Sequence, residues 1–317
     1  MMNGRVIKST GKWYSVLSLS DTETVIQCQI PGKFRLRELK QTNPIAVGDV
    51  VRYRELEDGS GLIEEIDVRK NKISRKATHG RKGEHILVSN VDQAFVVQAV
   101  QQPQFRTGFI DRFIISAEAH HIRPLIILNK TDLGTDEDAD LVANMLKIYD
   151  SLSYEVLLTS IYDEESIAEL QDCMKDKTSV FIGPSGTGKT SLLNAVQPGL
   201  NRTVSAVSSF SNKGKHTTTF AELIPLHFGG YLADTPGIRE FGLVGFDLNE
   251  IAGFFPEMRE RQQNCRFYNC THLHEPGCAV MEAFKAGEIA ASRYESYINI
   301  YESLEDENRS AGSRKRG

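Results

Sequence analysis

The run Gly183-Pro184-Ser185-Gly186-Thr187-Gly188-Lys189-Thr190 constrains this chain more than any other feature. It fits G-x-x-x-x-G-K-[ST], a loop that works only between a strand and a helix. Residues 179–182 read as the entering strand and residues 191–196 as the departing helix. Glycines let backbone amides converge on phosphate oxygens with no Cβ in the way, and the helix N-terminus adds partial positive charge. In that arrangement Lys189 reaches the β- and γ-phosphates, Thr190 ligates Mg²⁺, and Gly183 through Ser191 surround the phosphate chain. The rest of residues 86–240 agrees with an α/β layer. Apolar strand candidates at 93–100, 124–128, 154–158 and 179–182 alternate with helical patterns such as 110–120 and 138–152, which implies a mostly parallel sheet.

A phosphate loop does not choose the base. Asn129-Lys130-Thr131-Asp132 does, just after the strand at 124–128, where a parallel sheet places its ligand loops. A carboxylate at Asp132 can accept from guanine N1–H and the 2-amino group, a pair that adenine lacks. Thr159-Ser160, after the third strand, offers an amide to the guanine carbonyl, which makes Ser160 a candidate. Asp234-Thr235-Pro236-Gly237 follows the strand-like run 231–233. Asp234 can hold Mg²⁺ through water, and the Gly237 amide can sense the γ-phosphate as a switch. Thr217-Thr218-Thr219 lies between these two loops; one threonine is expected to close on Mg²⁺, Thr218 before its neighbours. The magnesium set is then Thr190, Thr218 and Asp234. A P-loop kinase or ATPase is the remote reading, opposed by the Asn129–Asp132 motif.

Ile238 stands where many GTPases carry a water-orienting glutamine, and no arginine finger is evident. Intrinsic hydrolysis is therefore expected to be slow, with a partner completing the site. His216, beside the threonine run, either positions the attacking water or is an ordinary loop histidine. It is taken with Lys189 and Thr218 as the catalytic set. In ordinary small GTPases the guanine-reading motif follows the P-loop; here it precedes it. Circular permutation is tolerable because these loops share one edge of one sheet.

The 317 residues exceed one ordinary core. Residues 1–72 read as short strands at 13–19, 24–30, 49–53 and 62–68, separated by Pro31-Gly32, Val47-Gly48-Asp49 and Asp58-Gly59-Ser60-Gly61. An OB-fold barrel fits that spacing. Trp13, Phe34 and Tyr53 either stack on bases or fill the barrel. The segment 73–85, within a basic run from Arg69 through Arg81 and Lys82, is either a solvated linker or a phosphate-backbone contact. Net charge is −5, so RNA binding would rest on local patches. Residues 1–13 lack an apolar signal core, and no run is long enough to span a membrane. The expectation is a cytoplasmic, membrane-free monomer.

Of five cysteines, Cys28 and Cys173 stand apart and read as small buried residues. Cys265, Cys270 and Cys278 cluster with His272, a Cys₃His set suited to one tetrahedral structural Zn²⁺. His274 is a rival ligand. Residues 241–317 thus read as a zinc-binding domain with a helical stretch at 279–304, Phe254 and Phe255 in its core, and a disordered basic tail from 308.

This motif order, with Gly-Lys-His-Thr-Thr-Thr at 214–219 and the later Cys/His cluster, resembles the ribosome-small-subunit-dependent GTPase A family of bacteria across essentially the whole chain. The resemblance implies an N-terminal OB-fold that contacts ribosomal RNA, a permuted GTPase, and a zinc domain. It implies a GTPase stimulated by the small ribosomal subunit that acts in late maturation of that subunit, with ribosome-binding factor A as a possible partner. It also supports His216 as the catalytic histidine. The alternative is a GTP-gated RNA-binding module without ribosome specificity. In either case the Asp234–Gly237 switch leads straight into the zinc domain, and its movement is expected to pull on that domain.

Overall fold

The computed structural model describes residues 1–21, 23–31, 43–76, 84–200, 221–234 and 247–313. β1 (Met2–Ser9), β2 (Tyr14–Ser18), β3 (Val25–Gln29), β4 (Val50–Glu55) and β5 (Gly61–Ile66) pair in the order β1-β2-β3-β5-β4, and β4 returns to β1. Only β3 and β5 run parallel. This closed five-stranded barrel is the OB-type fold that the turn spacing predicts. The pattern misses β1 because its inward positions carry Gly4 and Val6, too little apolar alternation to read. Val6, Val16, Val51, Tyr53 and Ile63 are wholly buried in the barrel. Tyr53 is therefore core, Trp13 is half-buried, and Phe34 lies outside the described residues.

The second layer is parallel. β8 (Gln93–Ala99), β9 (Arg123–Asn129), β10 (Val156–Thr159), β11 (Thr178–Ile182) and β13 (Tyr231–Asp234) stand in the spatial order β10-β9-β8-β11-β13. Every residue of β8 is buried, as a central strand covered on both faces must be. Its side chains alternate between two cores. Val96 packs with Phe113 and Ile114 of α1 (Thr107–Ala119) and Met145 of α2 (Asp136–Ser151). Phe95 and Val97 pack with Leu170 of α3 (Glu164–Met174) and Leu192 of α4 (Lys189–Val196). The Asp163 cap of α3 accepts from the amides of Glu165 and Ser166.

The barrel and this sheet are continuous. β12 (Glu222–Pro225) lies antiparallel on β13, and β1 pairs with β12 at Lys8 opposite Glu222, making one sheet of eleven strands. Arg5 adds a hydrogen bond to Thr178 Oγ1 at 3.0 Å and sits over the Tyr231 ring. The described part of the basic run, residues 69–76, ends in a strand. β6 (Lys72–Lys76) and β7 (Glu84–Ser89) form an antiparallel pair. Arg69 is spent on Asp49, at 2.7 Å from both carboxylate oxygens, with Asp49 wholly buried.

The C-terminal region holds a 3₁₀ turn (Leu248–Phe254), α5 (Pro256–Gln262), α6 (Ala279–Lys285) and α7 (Ala291–Ser313). The predicted single helix at 279–304 is two. Gly287, at φ +77°, supplies the left-handed residue that ends α6. Helix α7 also continues past 308, where the sequence suggests disorder. Phe255 is core as expected, and Phe254 is partly buried against it. Among the described residues no helix is long and apolar enough to cross a membrane.

A buried ion cluster joins this region to the sheet layer. Arg293 of α7, 1% exposed, donates to Asp111 Oδ1 of α1 at 2.6 Å and to Glu257 of α5 at 2.7 and 3.2 Å. Tyr149 of α2 donates to the same Asp111 oxygen at 2.7 Å. Burial pushes the Asp111 carboxyl upward against the pull of Arg293. Replacing Arg293 with Ala would leave two buried carboxylates uncompensated, at a cost of about 3–5 kcal/mol. The exposed Arg261–Glu288 pair should contribute about 0–1 kcal/mol by the same measurement. Denaturation curves of R293A and R261A test this; equal stability of the two variants would contradict the role given to Arg293.

Candidate active site and metal centre

Each candidate loop leaves the carboxyl end of a parallel strand. β9 ends at Asn129, β10 at Thr159, β11 at Ile182 and β13 at Asp234. Because β8 lies between β9 and β11, the base loop and the phosphate loop stand two strand positions apart. Asn129 closes that distance. Its Nδ2 donates to the Thr187 carbonyl at 2.9 Å, and its Oδ1 accepts from Thr159 Oγ1 at 3.0 Å. The side chain is 2% exposed, so these bonds form in a low-dielectric setting. Gly188 has φ +86°, and a Cβ there would lie 2.5 Å from Asn129 Nδ2. Only glycine permits both the backbone angle and the approach.

Asp132 is exposed, and one of its oxygens accepts from Ser160 Oγ at 2.6 Å. Thr131 Oγ1 donates to the Thr159 carbonyl at 3.3 Å. The three motif segments 129–132, 159–160 and 183–190 thus form one hydrogen-bonded unit. Spacing alone assigns Ser160 a backbone amide role. In the structure that amide donates to Ser166 Oγ at 3.3 Å, and the hydroxyl holds the Asp132 carboxylate. Lys130 has φ +60°, and its Nζ donates to the Gln102 carbonyl at 2.5 Å. The loop after β8 that carries Gln102 has no motif to betray it.

In the phosphate loop, Lys189 Nζ donates to the carbonyls of Gly183 and Pro184 at 2.9 and 2.6 Å. Thr187 Oγ1 donates to the Pro184 carbonyl, and Thr190 is buried one residue into α4. Ser191 follows it, half-buried. β13 pairs Ala233 with Val180 of β11, so Asp234 lies at the same sheet edge as the phosphate loop. A threonine hydroxyl and a carboxylate are the hard oxygen donors that Mg²⁺ takes, so these two residues fit the ion. His216, Thr217, Thr218, Thr219, Gly237 and Ile238 lie outside the described residues.

The second centre is the Cys₃His cluster. The ligand atoms of Cys265, Cys270, His272 and Cys278 all lie within 4.8 Å of one another. Cys265 Sγ is 3.5 Å from His272 Nδ1 and 3.9 Å from Cys278 Sγ, and the last two are 3.4 Å apart. Tetrahedral Zn²⁺ sets sulfurs about 3.8 Å apart, and sulfur and nitrogen about 3.5 Å apart. The cluster therefore fits zinc. Burial pushes the Cys270 thiol up to about 12 and raises Cys278, so these sulfurs stay protonated unless a cation binds and displaces the protons. His272, 3% exposed at φ +58°, is the histidine of the set; His274 is exposed and outside it. Tyr294 and Tyr297 of α7 donate to the His272 and Thr271 carbonyls, each at 2.7 Å. Glu275 accepts from the Thr271 amide at 2.7 Å and hydroxyl at 2.6 Å. Against the desolvation that would raise it, these bonds bring its carboxyl down to about 2.

A family model described as RsgA GTPase matches residues 66–244, and one described as RsgA N-terminal domain matches residues 3–63. A protein of Christiangramia forsetii named Small ribosomal subunit biogenesis GTPase RsgA is 42% identical over 309 residues, covering 96% of this chain and 97% of the relative. A protein of the same name from Bacteroides fragilis strain YCH46 is 40% identical over 305 residues, covering 96% and 98%. The crystal structure of YjeQ from Thermotoga maritima superposes with a TM-score of 0.79 at 37% identity, covering 96% of this chain and 98% of that one. The crystal structure of YloQ, a circularly permuted GTPase, gives 0.77 at 34% identity, covering 97% and 96%.

Replacing Cys278 with Ser should abolish zinc retention and lower the melting temperature of the C-terminal region, because binding free energy at such a site is folding free energy. Metal analysis and thermal denaturation check this. Undiminished zinc in C278S would remove Cys278 from the ligand set.

Proposed function

The chain belongs to the RsgA GTPase family, and from that premise we propose that it hydrolyses GTP on the small ribosomal subunit during the late maturation of that subunit. One observation carries the reading. The guanine-type loop and the phosphate loop are joined by the 2.9 Å bond from Asn129 to Thr187, in a chain that matches named subunit-biogenesis GTPases over nearly its whole length.

In this reading Asp132, steadied by Ser160, accepts from the guanine edge, and Asn129, Lys130 and Thr131 shape the base pocket. Gly183 through Ser191 cradle the phosphates, with Lys189 turning from the loop carbonyls to the β- and γ-oxygens. Thr190, Thr218 and Asp234 would hold Mg²⁺, which supplies charge neutralisation at the phosphates. Water adds to the γ-phosphorus, the bond to the bridging oxygen breaks, and GDP leaves with that electron pair. The proton of water ends on the released phosphate. His216 orients the water and Gly237 senses the γ-phosphate.

The domain limits proposed are 1–72 for an RNA-contacting barrel, 73–85 for a basic linker, 86–240 for the GTPase and 241–317 for the zinc domain. Cys265, Cys270, His272 and Cys278 hold one structural zinc. The protein acts in the cytoplasm as a monomer, and ribosome-binding factor A is a partner by family resemblance. Movement of the Asp234–Gly237 switch acts on the zinc domain that follows it.

Steady-state hydrolysis with purified small subunits should exceed the intrinsic rate by more than about tenfold, with large subunits inert. A rate unchanged by small subunits would favour a GTP-gated RNA-binding module. Replacing His216 with Ala should lower kcat while leaving GTP affinity nearly intact. Loss of nucleotide binding in H216A would instead assign the histidine a structural part.

A further inference from the structure

The loop leaving β8, residues 100–106, belongs to no nucleotide motif, yet the strand order β9-β8-β11 sets it between two loops that do. On one side its Gln102 carbonyl accepts from Lys130 Nζ at 2.5 Å. On the other, a Cβ built on Gly186 would lie 3.3 Å from Pro103 Cδ and 3.8 Å from the Gln102 carbonyl oxygen, so the loop packs on the phosphate loop. The Lys130 stem passes over Gly188, with Cε 3.6 Å from the place of a Cβ there. Gln102, Pro103 and Gln104 are themselves exposed, and loop tips of that kind need an anchor to keep one carbonyl in place.

The anchor is Asp138 of α2, only 4% exposed. Its Oδ1 accepts from Gln101 Nε2 at 2.7 Å and Gln104 Nε2 at 3.3 Å. Its Oδ2 accepts from the Thr135 amide at 2.9 Å and hydroxyl at 2.8 Å. Four donors saturate the carboxylate. Gln101 first, then Thr135, holds the carboxyl below its ordinary range, so the bonds are charge-assisted at neutral pH. Thr135 caps α2 three residues after the base loop ends at Asp132. One carboxylate therefore ties the base loop to the loop that flanks the phosphates. A helix cap alone needs only Thr135 and Asp138; the two glutamines are extra, and they reach back across the site.

We propose that Asp138, through Gln101 and Gln104, is a positioning group for the guanine nucleotide, keeping the Gln102 carbonyl against Lys130 so that the lysine stem spans the base and phosphate loops. The inference rests on the nucleotide-site reading above. It concerns retention of nucleotide, not the chemical step, because its contacts tie the base loop to the loop after β8.

The test uses the full chain. Q101A/Q104A leaves the Thr135–Asp138 cap whole and cuts only the tie. It should release a fluorescent GDP about tenfold faster and raise KM for GTP by a similar factor, with kcat and melting temperature nearly unchanged. D138N with Q101E exchanges donor for acceptor across the same contact and should restore the slower release. D132N, measured beside them, reports on the nucleotide site itself. If D132N weakens GTP binding while Q101A/Q104A keeps the parent release rate and KM, the positioning role is overturned and the site stands. If Q101A/Q104A lowers kcat with KM unchanged, the role is likewise overturned. If neither variant changes GTP affinity, the nucleotide-site reading fails and this inference with it.

Discussion

The hydrogen bond from Asn129 to the Thr187 carbonyl is the contact on which the rest of the site depends. Two loops from strands that are not neighbours must share one ligand, and a buried amide bridges them above β8. Such a bond nets only about 0.5–1.5 kcal/mol, but leaving either buried partner unpaired costs about 1–3 kcal/mol. Loss of the contact would therefore favour separation of the loops over a merely weakened pair. Thr159 completes the amide, and Gly188 makes room for it. Because this link is spatial, the chain order of the two loops is immaterial to it. That is why a permuted GTPase keeps the same site as an unpermuted one.

The flanking regions attach to this centre by different physics. The barrel joins through backbone pairing of β1 with β12, the strand that precedes β13 and shares register with Asp234 at Glu222. Lys8, Glu222 and Asp234 thus lie side by side across three strands. The C-terminal region joins through desolvated charge, with Arg293 between Asp111 of α1 and Glu257 of α5. A backbone ladder transmits displacement along the strand direction, whereas a buried ion cluster fixes orientation because its geometry has no cheap alternative. The Cys₃His cluster is pinned in turn by Tyr294 and Tyr297 of the helix that carries Arg293.

Legibility in the sequence followed the strength of local chemistry. The phosphate loop, the Asn129–Asp132 loop and the Cys/His set are dense in residues of specific chemistry, and the first two follow the strands that their motifs require. Elements that rely on packing were harder to see. β1 buries only Gly4 and Val6 in the barrel, with Met2 partly packed against its core. In the sequence Arg69 reads as solvent- or phosphate-facing charge, whereas the fold buries Asp49 against it. The choice of His272 over His274 turns on which ring is folded inward, something that a two-residue separation does not encode.

Sequence alone determined that this chain would carry a P-loop layer with a guanine loop placed before it, a short-stranded barrel and a Cys₃His centre. Those outcomes follow from backbone propensity and from side-chain chemistry at fixed spacing, both of which act over a few residues. Tertiary structure alone decided that Ser160 would serve Asp132 through its hydroxyl, that Lys130 would lean on the Gln102 carbonyl, and that Asp138 would brace that loop. These contacts join residues brought together only by the order of strands in the sheet. Strand order depends on how buried faces match across the whole layer, so no local pattern could announce them.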